Sequence, residues 1–437
     1  MEVGTITIVL FASLVVGLLT GLPLVYILGG LSVIFTWLFL GSTSLIIVSA
    51  TAFGVMNNFI LIAIPLFVFM GLVLQHSGIA EAMYEMMYKW VGGIKGGLAM
   101  GTVVICTIFA AMSGISGAAT VSMGVIALPS MLKHDYHKNI AVGSISAGGA
   151  LGILIPPSVL MIVYGVFAGE SIGALFAGGV IPGFLLALMF ILYIGIRCHF
   201  NPAMGPAVPK SERATWGEKM TSLRAVILPI VLIFLVLGTI FKGVATPTEA
   251  AAIGALGALL CAAFSKKLSW KVFNSSLQQS LKLSCMVIWI IIGGACLTGI
   301  YTSLGAVDFI REMVSMLPVS RYVILIGMQI SLIFLGMLLD PGGIIMICTP
   351  VFVPVIKALG FDPVWFGVLF IVNMEMSYLT PPFGFNLFYM KSIVPDSISM
   401  IDIYKSVLPF VGIQATLLVL LVVFPELATW LPGILIK

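Results

Sequence analysis

The sequence predicts an all-α integral membrane protein built from two inverted-topology repeats of about five crossings each. Three observations predict this class. The 437 residues are 61% hydrophobic and 8% charged, with a mean hydropathy of +1.22, which lies outside the range of soluble globular chains. Long apolar runs match the thickness of a bilayer. A Pro-Pro pair inside one of these runs, Pro156-Pro157, returns inside a later run as Pro381-Pro382.

The apolar runs predict ten crossings, joined by two segments of another kind. The first run has no basic segment before it and no small-residue cleavage site after it, so we expect a retained helix and not a signal peptide. Segments 96–132 and 322–357 are interrupted at their centres by small residues or by Gly and Pro, which predicts re-entrant hairpins. Mixed polar stretches at 45–57 and 268–282 predict arms along the membrane interface. The predicted crossings lie near residues 5–22, 24–40, 59–75, 139–165, 173–197, 225–241, 246–264, 283–303, 363–391 and 406–432.

The distribution of basic residues predicts the orientation, because Lys and Arg favour cytoplasmic loops. If the N-terminus lies outside and both hairpins turn back on the side they entered, fifteen of the 20 basic residues fall inside. The five that remain outside are Lys242, Arg311, Arg321, Lys357 and Lys437. Both termini are therefore predicted to lie outside. Residues 198–224, rich in proline and charge, are predicted to form a cytoplasmic linker between a first repeat at 1–197 and a second at 225–437.

Each Pro-Pro pair predicts a helix that breaks at the middle of the membrane. Proline has no N–H and blocks the hydrogen bond to the carbonyl four residues back. The freed carbonyls would belong to Gly152 and Ile153 in one copy, and to Ser377 and Tyr378 in the other. Hydrocarbon cannot satisfy bare carbonyls, so a break persists only where it lines a cavity or binds something. Five crossings separate the copies, which predicts an upside-down second half, as is typical of secondary transporters.

Four stretches give the chain a resemblance to a known family over essentially its whole length. They are MSGISGAA at 112–119, GALGILIPPS at 149–158, TPTEAAA at 246–252, and Asp340-Pro341 with YLTPP at 378–382. The chain resembles the large membrane subunit (DctM-like, M subunit) of tripartite ATP-independent periplasmic (TRAP) transporters. The resemblance implies sodium-coupled import, by an elevator motion, of a small organic acid of the C4-dicarboxylate, sialic acid, sugar acid or keto acid class.

The resemblance also implies partners and a location. A periplasmic substrate-binding protein would deliver the substrate, and a small four-helix membrane subunit would join the chain in the bacterial inner membrane. Both termini would then be periplasmic. Residues 96–165 and 322–391 would form the transport core, while 1–58 and 225–282 would form mainly scaffold and arm helices.

The residues around the breaks suit sodium, a hard cation that binds several oxygens and needs no strong acid. Half-helices that begin at the breaks would also point positive N-termini toward a substrate carboxylate. The first predicted Na+ site combines Ser113, Ser116 and Gly117 with Gly152 and Ile153. The second combines Asp340, Gly342 and Gly343 with Ser377, Tyr378 and Thr380. The predicted substrate-binding residues are Ser116, Pro156, Pro157, Ser158, Pro381, Pro382 and Asn386.

Two acidic residues allow a structural and a functional interpretation. Glu375 lies inside a crossing, where a charge costs about 2.5 to 3.5 kcal/mol, so it should face the protein interior. It would be a proton or cation partner or a structural acid, and its repeat counterpart Ala150 favours the structural role. Asp340 would either cap the second helix of its hairpin or bind an ion.

Other polar residues have simpler interpretations. Glu249 is expected near a helix start, with Thr246 or Thr248 as the cap. His134 and His137 lie in a polar turn, and a solvated loop is favoured over a metal site because no third ligand is apparent nearby. The six cysteines lack regular spacing and are expected to be small core residues.

The sequence argues against an enzyme. It contains no Gly-rich phosphate loop followed by Lys-Ser or Lys-Thr, so an ion gradient and not ATP should supply the energy. No organic cofactor and no nucleic acid are expected. Two alternatives stay open: a sodium/carboxylate symporter that needs no binding protein, and a channel or structural membrane subunit.

Overall fold

The computed structural model describes residues 3–114, 116–306, 309–310, 312, 318–382 and 384–436. Ile115 of the first hairpin motif, and Arg311 and Lys437 of the predicted outer set, lie outside the described residues. Throughout the described chain the regular elements are helices, as the composition predicts. Seven of these helical segments are long and apolar enough to cross a membrane.

The first half of the chain contains ten described helices. Those that correspond to predicted crossings begin and end within a few residues of the predicted bounds. They are α1 (Val3–Leu19), α2 (Leu24–Leu40), α3 (Leu45–Met56), α4 (Ala63–His76), α5 (Ile79–Val91), α6 (Gly97–Ser113), α7 (Ser116–Lys133), α8 (Lys138–Ala150), α9 (Val159–Ala168) and α10 (Ile172–Phe200).

The second half, with the end of the linker, also contains ten described helices. They are α11 (Trp216–Ser222), α12 (Arg224–Phe241), α13 (Pro247–Phe264), α14 (Trp270–Ser303), α15 (Arg321–Gly336), α16 (Pro341–Ala358), α17 (Pro363–Ser377), α18 (Phe385–Lys391), α19 (Met400–Val423) and α20 (Glu426–Leu435).

Both predicted breaks are present. The segment 139–165 consists of α8 and α9, with residues 151–158 between them, and 363–391 consists of α17 and α18. The helix ladder stops before each Pro-Pro pair and restarts after it because proline cannot continue the hydrogen bonding. Both hairpin segments also fold as helix pairs, α6 with α7 and α15 with α16.

The two ends of each hairpin lie together. In the first hairpin, the Gly96 N–H donates to the Gly205 carbonyl at 2.8 Å, and the His137 N–H donates to the Met204 carbonyl at 3.1 Å. Both ends therefore touch the linker. In the second hairpin, the Arg321 guanidinium lies 4.9 Å from the centre of the Phe361 ring. This closure is what a hairpin that turns back on its entry side requires.

Two predicted boundaries in the second half are wrong. The stretch 268–282 is not separate from the crossing 283–303, because α14 runs unbroken through both. Two serines of this stretch are buried against α4: Ser276 Oγ lies 3.0 Å from His76 Nδ1, and Ser280 Oγ donates to the Pro65 carbonyl at 3.2 Å. The run 406–432 is interrupted at Pro425, which ends α19 and starts α20.

The helix caps agree with the sequence. Thr246 caps α13, and the Glu249 carboxylate accepts from the Thr246 N–H at 2.8 Å, which completes a capping box. Asp340 caps α16, with its Oδ2 accepting from the Gly342 N–H at 2.9 Å. The capping role of Asp340 is confirmed, while its ion-binding role stays a prediction.

The two histidines of the polar turn lie close to the linker, and most of the cysteines are buried. His134 Nε2 pairs with Glu212 Oε2 at 3.2 Å, and His137 caps α8. The described residues contain no cluster of three metal-ligating side chains. Five cysteines are buried, but Cys285 is exposed on α14, so its predicted core position is wrong.

Helices of the two halves pack crosswise at the centre. The hairpin helix α7 packs on α18, which follows the second break, and the hairpin helix α16 packs on α9, which follows the first break. Each hairpin therefore contacts the half-helix of the other half. This arrangement brings both hairpin tips and both breaks to one place.

Candidate functional site

The tip of the first hairpin lies directly against the first break. Gly114 ends α6 with a φ of +62°, a conformation that favours glycine. A Cβ at this position would lie 2.6 Å from the Pro157 carbonyl oxygen. The Gly114 carbonyl in turn accepts from the Val159 N–H at 3.4 Å. Only a residue without a side chain allows this approach.

Ser158 organises the first break. Its Oγ caps α9 by accepting from the Met161 N–H at 3.3 Å, and its hydroxyl donates to the Ile153 carbonyl at 2.5 Å. One of the two carbonyls that the prolines were predicted to free therefore has a protein donor. A carbonyl oxygen has two lone pairs, so Ile153 retains one acceptor position.

The second break has its own hydrogen bonds. The Thr380 N–H donates to the Ser377 carbonyl at 3.2 Å, and the Asn386 N–H donates to the Tyr378 carbonyl at 3.1 Å. Gly336, the last residue of α15, lies so close to Ser377 that a Cβ would overlap its hydroxyl. The second hairpin thus meets the second break just as the first hairpin meets the first.

Asn386 connects the second break to the first hairpin. Its side-chain Oδ1 accepts from Ser116 Oγ at 3.2 Å and from Thr120 Oγ1 at 2.6 Å. Its Nδ2 donates to the Ser146 carbonyl at 2.6 Å. Asn386 is fully buried. These three contacts occupy its amide within the protein, and its contact with substrate stays a prediction.

A cavity of about 300 Å³ lies where the tips and breaks meet. It is lined by residues from both tips, both breaks, the half-helices that follow them, and the helices α4, α14 and α16. The lining residues are Val68, Gly114, Ser116, Gly117, Ile153, Val159, Leu160, Val163, Leu283, Met286, Val287, Ile290, Asp340, Gly342, Met346, Tyr378, Phe385 and Tyr389.

The structure divides the predicted site residues into two groups. Those that line the cavity are Ser116, Gly117, Ile153, Asp340, Gly342 and Tyr378. The others lie outside the described lining: Ser113, Gly152, Pro156, Pro157, Ser158, Gly343, Ser377, Thr380, Pro381, Pro382 and Asn386. Ser113 packs against Gly71 of α4, and Ser377 packs against Gly336 of α15. A Cβ at either glycine would overlap the serine.

Sequence reasoning missed Tyr389 and one wall of the cavity. Tyr389 follows Phe385 by four positions on α18, a spacing that places both on one helix face and could have identified it. Its ring packs so closely on Gly117 that a Cβ there would lie 2.7 Å away. The apolar wall formed by residues 283–290 of α14 has no motif that would reveal it.

The cavity is polar at its tips but carries little charge. Among its described lining residues, Asp340 is the one carboxylate, and none is Lys, Arg or His. Hydroxyls come from Ser116, Tyr378 and Tyr389. The few oxygens at the tips suit a hard cation such as sodium, whereas an organic anion would meet the Asp340 carboxylate.

Glu375 lies outside this cavity. Its side chain is fully buried on α17 beside Gln414 of α19, which is also fully buried. It faces the protein interior, as the cost of a membrane-exposed charge predicts.

An all-helical membrane chain in which two hairpin tips and two broken helices enclose one central cavity defines a membrane transporter. The fold is similar to that of the Alcanivorax borkumensis YdaH transporter, with a TM-score of 0.66 and 14% identity over 92% of this chain and 97% of that one. At this identity, the likeness concerns the fold alone.

The chain belongs to the DctM component family of the tripartite ATP-independent periplasmic transporters, whose profile matches residues 11–427. It is 33% identical to the C4-dicarboxylate TRAP transporter large permease protein DctM of Vibrio cholerae, over 98% of each chain. It is 31% identical to the ectoine TRAP transporter large permease protein TeaC of Halomonas elongata, over 97% of this chain and 98% of that one. Because the family consists of transporter permeases, the expectation that the chain is not an enzyme is confirmed.

Proposed function

We propose that this chain is the large permease subunit that imports a small organic acid together with sodium, by an elevator motion. The observation that carries the proposal is the central cavity, which both hairpin tips and both breaks line together. Carbonyls at backbone breaks keep a second acceptor position beyond their bonds within the protein, and a cavity makes this position available to a ligand. The relatives named for C4-dicarboxylate and ectoine uptake support a small, charged organic substrate.

Charge favours sodium as the coupling ion. An organic acid would enter a cavity whose described lining holds the carboxylate of Asp340 and no basic side chain. Two negative groups in a low-dielectric site repel strongly unless cations compensate them. Sodium bound at the breaks would neutralise this charge. Each net positive charge carried inward also gains about 2.3 kcal/mol per 100 mV of membrane potential.

Substrate contacts would come from the hydroxyl groups and from a helix end. Tyr378 and Tyr389 line the cavity, and their hydroxyls can donate to carboxylate oxygens, whereas the Ser116 hydroxyl donates to Asn386 Oδ1 and presents its lone pairs. Helix α9 begins at the first break and directs its positive N-terminus there. The apolar wall from α14 would contact the carbon skeleton of the substrate.

The arrangement of the wall supports an elevator. The hairpins and broken helices, residues 96–165 and 322–391, would move as the transport core. Helices α4 and α14, which close the cavity from the other side, would remain with the scaffold. Sliding of the core past this apolar wall would expose the substrate to the two sides in turn.

The partners follow from the family. A periplasmic binding protein would deliver the substrate, and a small four-helix membrane subunit would cover part of the exposed apolar surface. The complex would lie in the bacterial inner membrane, with both termini of this chain in the periplasm.

Uptake by proteoliposomes tests the proposal. The chain, reconstituted with its small subunit, should take up substrate only with an inward sodium gradient and the loaded binding protein. Equal uptake without the binding protein would favour a symporter that acts alone. Uptake that ignores sodium would favour a pore or facilitator and overturn the proposed coupling.

A further inference from the structure

The amide of Asn386 joins two parts of the site that lie far apart in the sequence. Its backbone N–H donates to the Tyr378 carbonyl at the second break, at 3.1 Å. Its side-chain Oδ1 accepts from Ser116 at the tip of the first hairpin, at 3.2 Å. Tyr378 belongs to one predicted ion site and Ser116 to the other, so a single residue contacts both.

We infer that Asn386 is a positioning residue that couples sodium binding at the first site to sodium binding at the second. This inference rests on the proposed function. The residue itself lies outside the cavity lining and would act through Ser116 and Tyr378.

The chemistry of a hydroxyl ligand explains why Ser116 needs such a partner. A serine that binds a cation must present its lone pairs to the ion and direct its hydrogen elsewhere. Asn386 Oδ1 accepts that hydrogen. With this acceptor present, the hydroxyl is already oriented before the ion arrives, and less ordering is needed on binding.

The other contacts hold the acceptor in place. Thr120 Oγ1 donates to the same Oδ1 at 2.6 Å, and Asn386 Nδ2 donates to the Ser146 carbonyl at 2.6 Å. Asn386 and Thr120 are fully buried, and Ser116 is 1% exposed. Water therefore does not compete for these bonds, and the amide has one preferred orientation.

Coupling follows from the position of Asn386 just after the break. A cation that draws the Tyr378 carbonyl toward itself also moves the Asn386 N–H that donates to this carbonyl. The Asn386 side chain then moves too, and with it the Oδ1 that accepts from Ser116. Occupation of one site thus changes the geometry of the other. Coupling of this kind is reciprocal, so sodium should bind cooperatively.

Binding of radioactive sodium to the purified full-length chain tests the inference, with choline chloride used to keep the ionic strength constant. The wild type should show a Hill coefficient clearly above 1. Asn386→Ala should lower it to about 1, since independent sites show no cooperativity. The half-saturating sodium concentration should rise roughly three- to tenfold, the size of the effect of a lost buried hydrogen bond.

Two further variants separate positioning from general damage. Thr120→Val keeps Asn386 and Ser116 but removes the shorter hydrogen bond to Oδ1, and should reduce the Hill coefficient in the same direction, by less. Ser144→Ala is the matched control: it lies on α8 near Ser146, and its hydroxyl bonds only within its own helix, to the Ala141 carbonyl. It should bind sodium like the wild type.

The outcomes distinguish this inference from the proposed function. If the wild type binds no sodium, the proposed function fails and the inference fails with it. Saturable binding without cooperativity in the wild type overturns the inference alone. So does a wild-type Hill coefficient in Asn386→Ala, or an equal loss of cooperativity in Ser144→Ala.

Discussion

Gly114 illustrates, at the scale of a single residue, how tightly the first hairpin meets the first break. Its φ of +62° disfavours a side chain, and its closeness to the Pro157 carbonyl leaves no room for one. The sequence motif alone does not distinguish this glycine from those that simply allow close helix packing. The contact with the neighbouring break is what requires a glycine at this position.

Gly114→Ala should lower the thermal unfolding temperature and reduce uptake. The left-handed conformation costs a non-glycine residue about 1 kcal/mol, and the new Cβ would also force the tip away from Pro157. Thermal unfolding of the purified protein in detergent measures the change. Gly238→Ala on α12 is the control, since its Cβ meets nothing within 4 Å. Equal unfolding temperatures for the two variants would contradict the prediction.

At the scale of elements, the paired breaks are the central feature. Each stops a helix, starts another, and faces one hairpin. Helix α9 begins only because the ladder ended at the prolines, and Ser158 then supplies its cap. The break thus follows from the missing N–H of proline. The hairpin that packs against the break then covers it.

Replacement of Pro156-Pro157 or Pro381-Pro382 by Ala-Ala should weaken sodium binding at the corresponding site. Proline costs about 3 kcal/mol in a helix interior, so its removal favours a continuous helix that reclaims the freed carbonyls. The half-saturating sodium concentration for uptake should rise in each variant. Replacement of Pro182 by Ala, within the continuous helix α10, is the control. Unchanged sodium dependence in both pair variants would contradict the assignment of the ion sites.

The linker is held to the first hairpin by a small polar cluster. Hydrogen bonds with His134 and with Tyr88 hold the pKa of the Glu212 carboxyl below its usual value. A lowered acid pKa means that the ionised carboxylate stabilises the docked linker above the ordinary pKa. This contribution is lost as the pH falls through the lowered value.

Glu212→Gln should therefore loosen the linker at neutral pH without unfolding the protein. Because Glu212 is exposed, the effect should be modest. Limited proteolysis with trypsin, which can cleave after Lys210 and Arg213, measures linker access. Glu426→Gln, far from the linker near the C-terminus, is the control. Identical cleavage rates for the variant and the wild type would show that the cluster does not hold the linker.

At the scale of the whole molecule, ion pairs join residues that the distribution of basic residues assigns to the same side of the membrane. Lys138 pairs with Asp402 at 2.7 Å, on the side predicted to be cytoplasmic. Lys357 pairs with Glu170 at 2.8 Å, on the side predicted to be periplasmic. The two ends of each hairpin also lie together. These contacts show which residues lie on the same side. The basic residues then predict which side faces the cytoplasm.

Cysteine labelling tests this orientation. The experiment uses a Cys285→Ser background, which removes the exposed cysteine. In cells with a permeabilised outer membrane and an intact inner membrane, Lys242→Cys should react with a membrane-impermeant maleimide. Lys210→Cys should react only after the inner membrane is disrupted. The reverse pattern would invert the predicted topology.

The sequence alone determined the membrane class and the position of both breaks, and it predicted how charge is distributed between the two sides. These properties are local: hydropathy adds along a segment, proline lacks its N–H in any fold, and a basic loop keeps its charge. The same locality explains the helix start at Thr246 and Glu249. It also explains the error at 268–282, since apolarity does not reveal whether a polar helix end continues into a crossing, whereas the interruption at Pro425 is a local effect that the proline itself could have indicated.

Only the tertiary structure decided which groups face the cavity and which support them. The sequence predicts Asn386 as a substrate contact, and the structure adds that its amide accepts from Ser116, a residue 270 positions away in the sequence. Tyr389 and the wall from α14 enter the cavity because distant helices pack there. A hydrogen bond or a cavity wall depends on the relative positions of remote segments. No local pattern contains that information, and it is the packing of the two halves that creates the site.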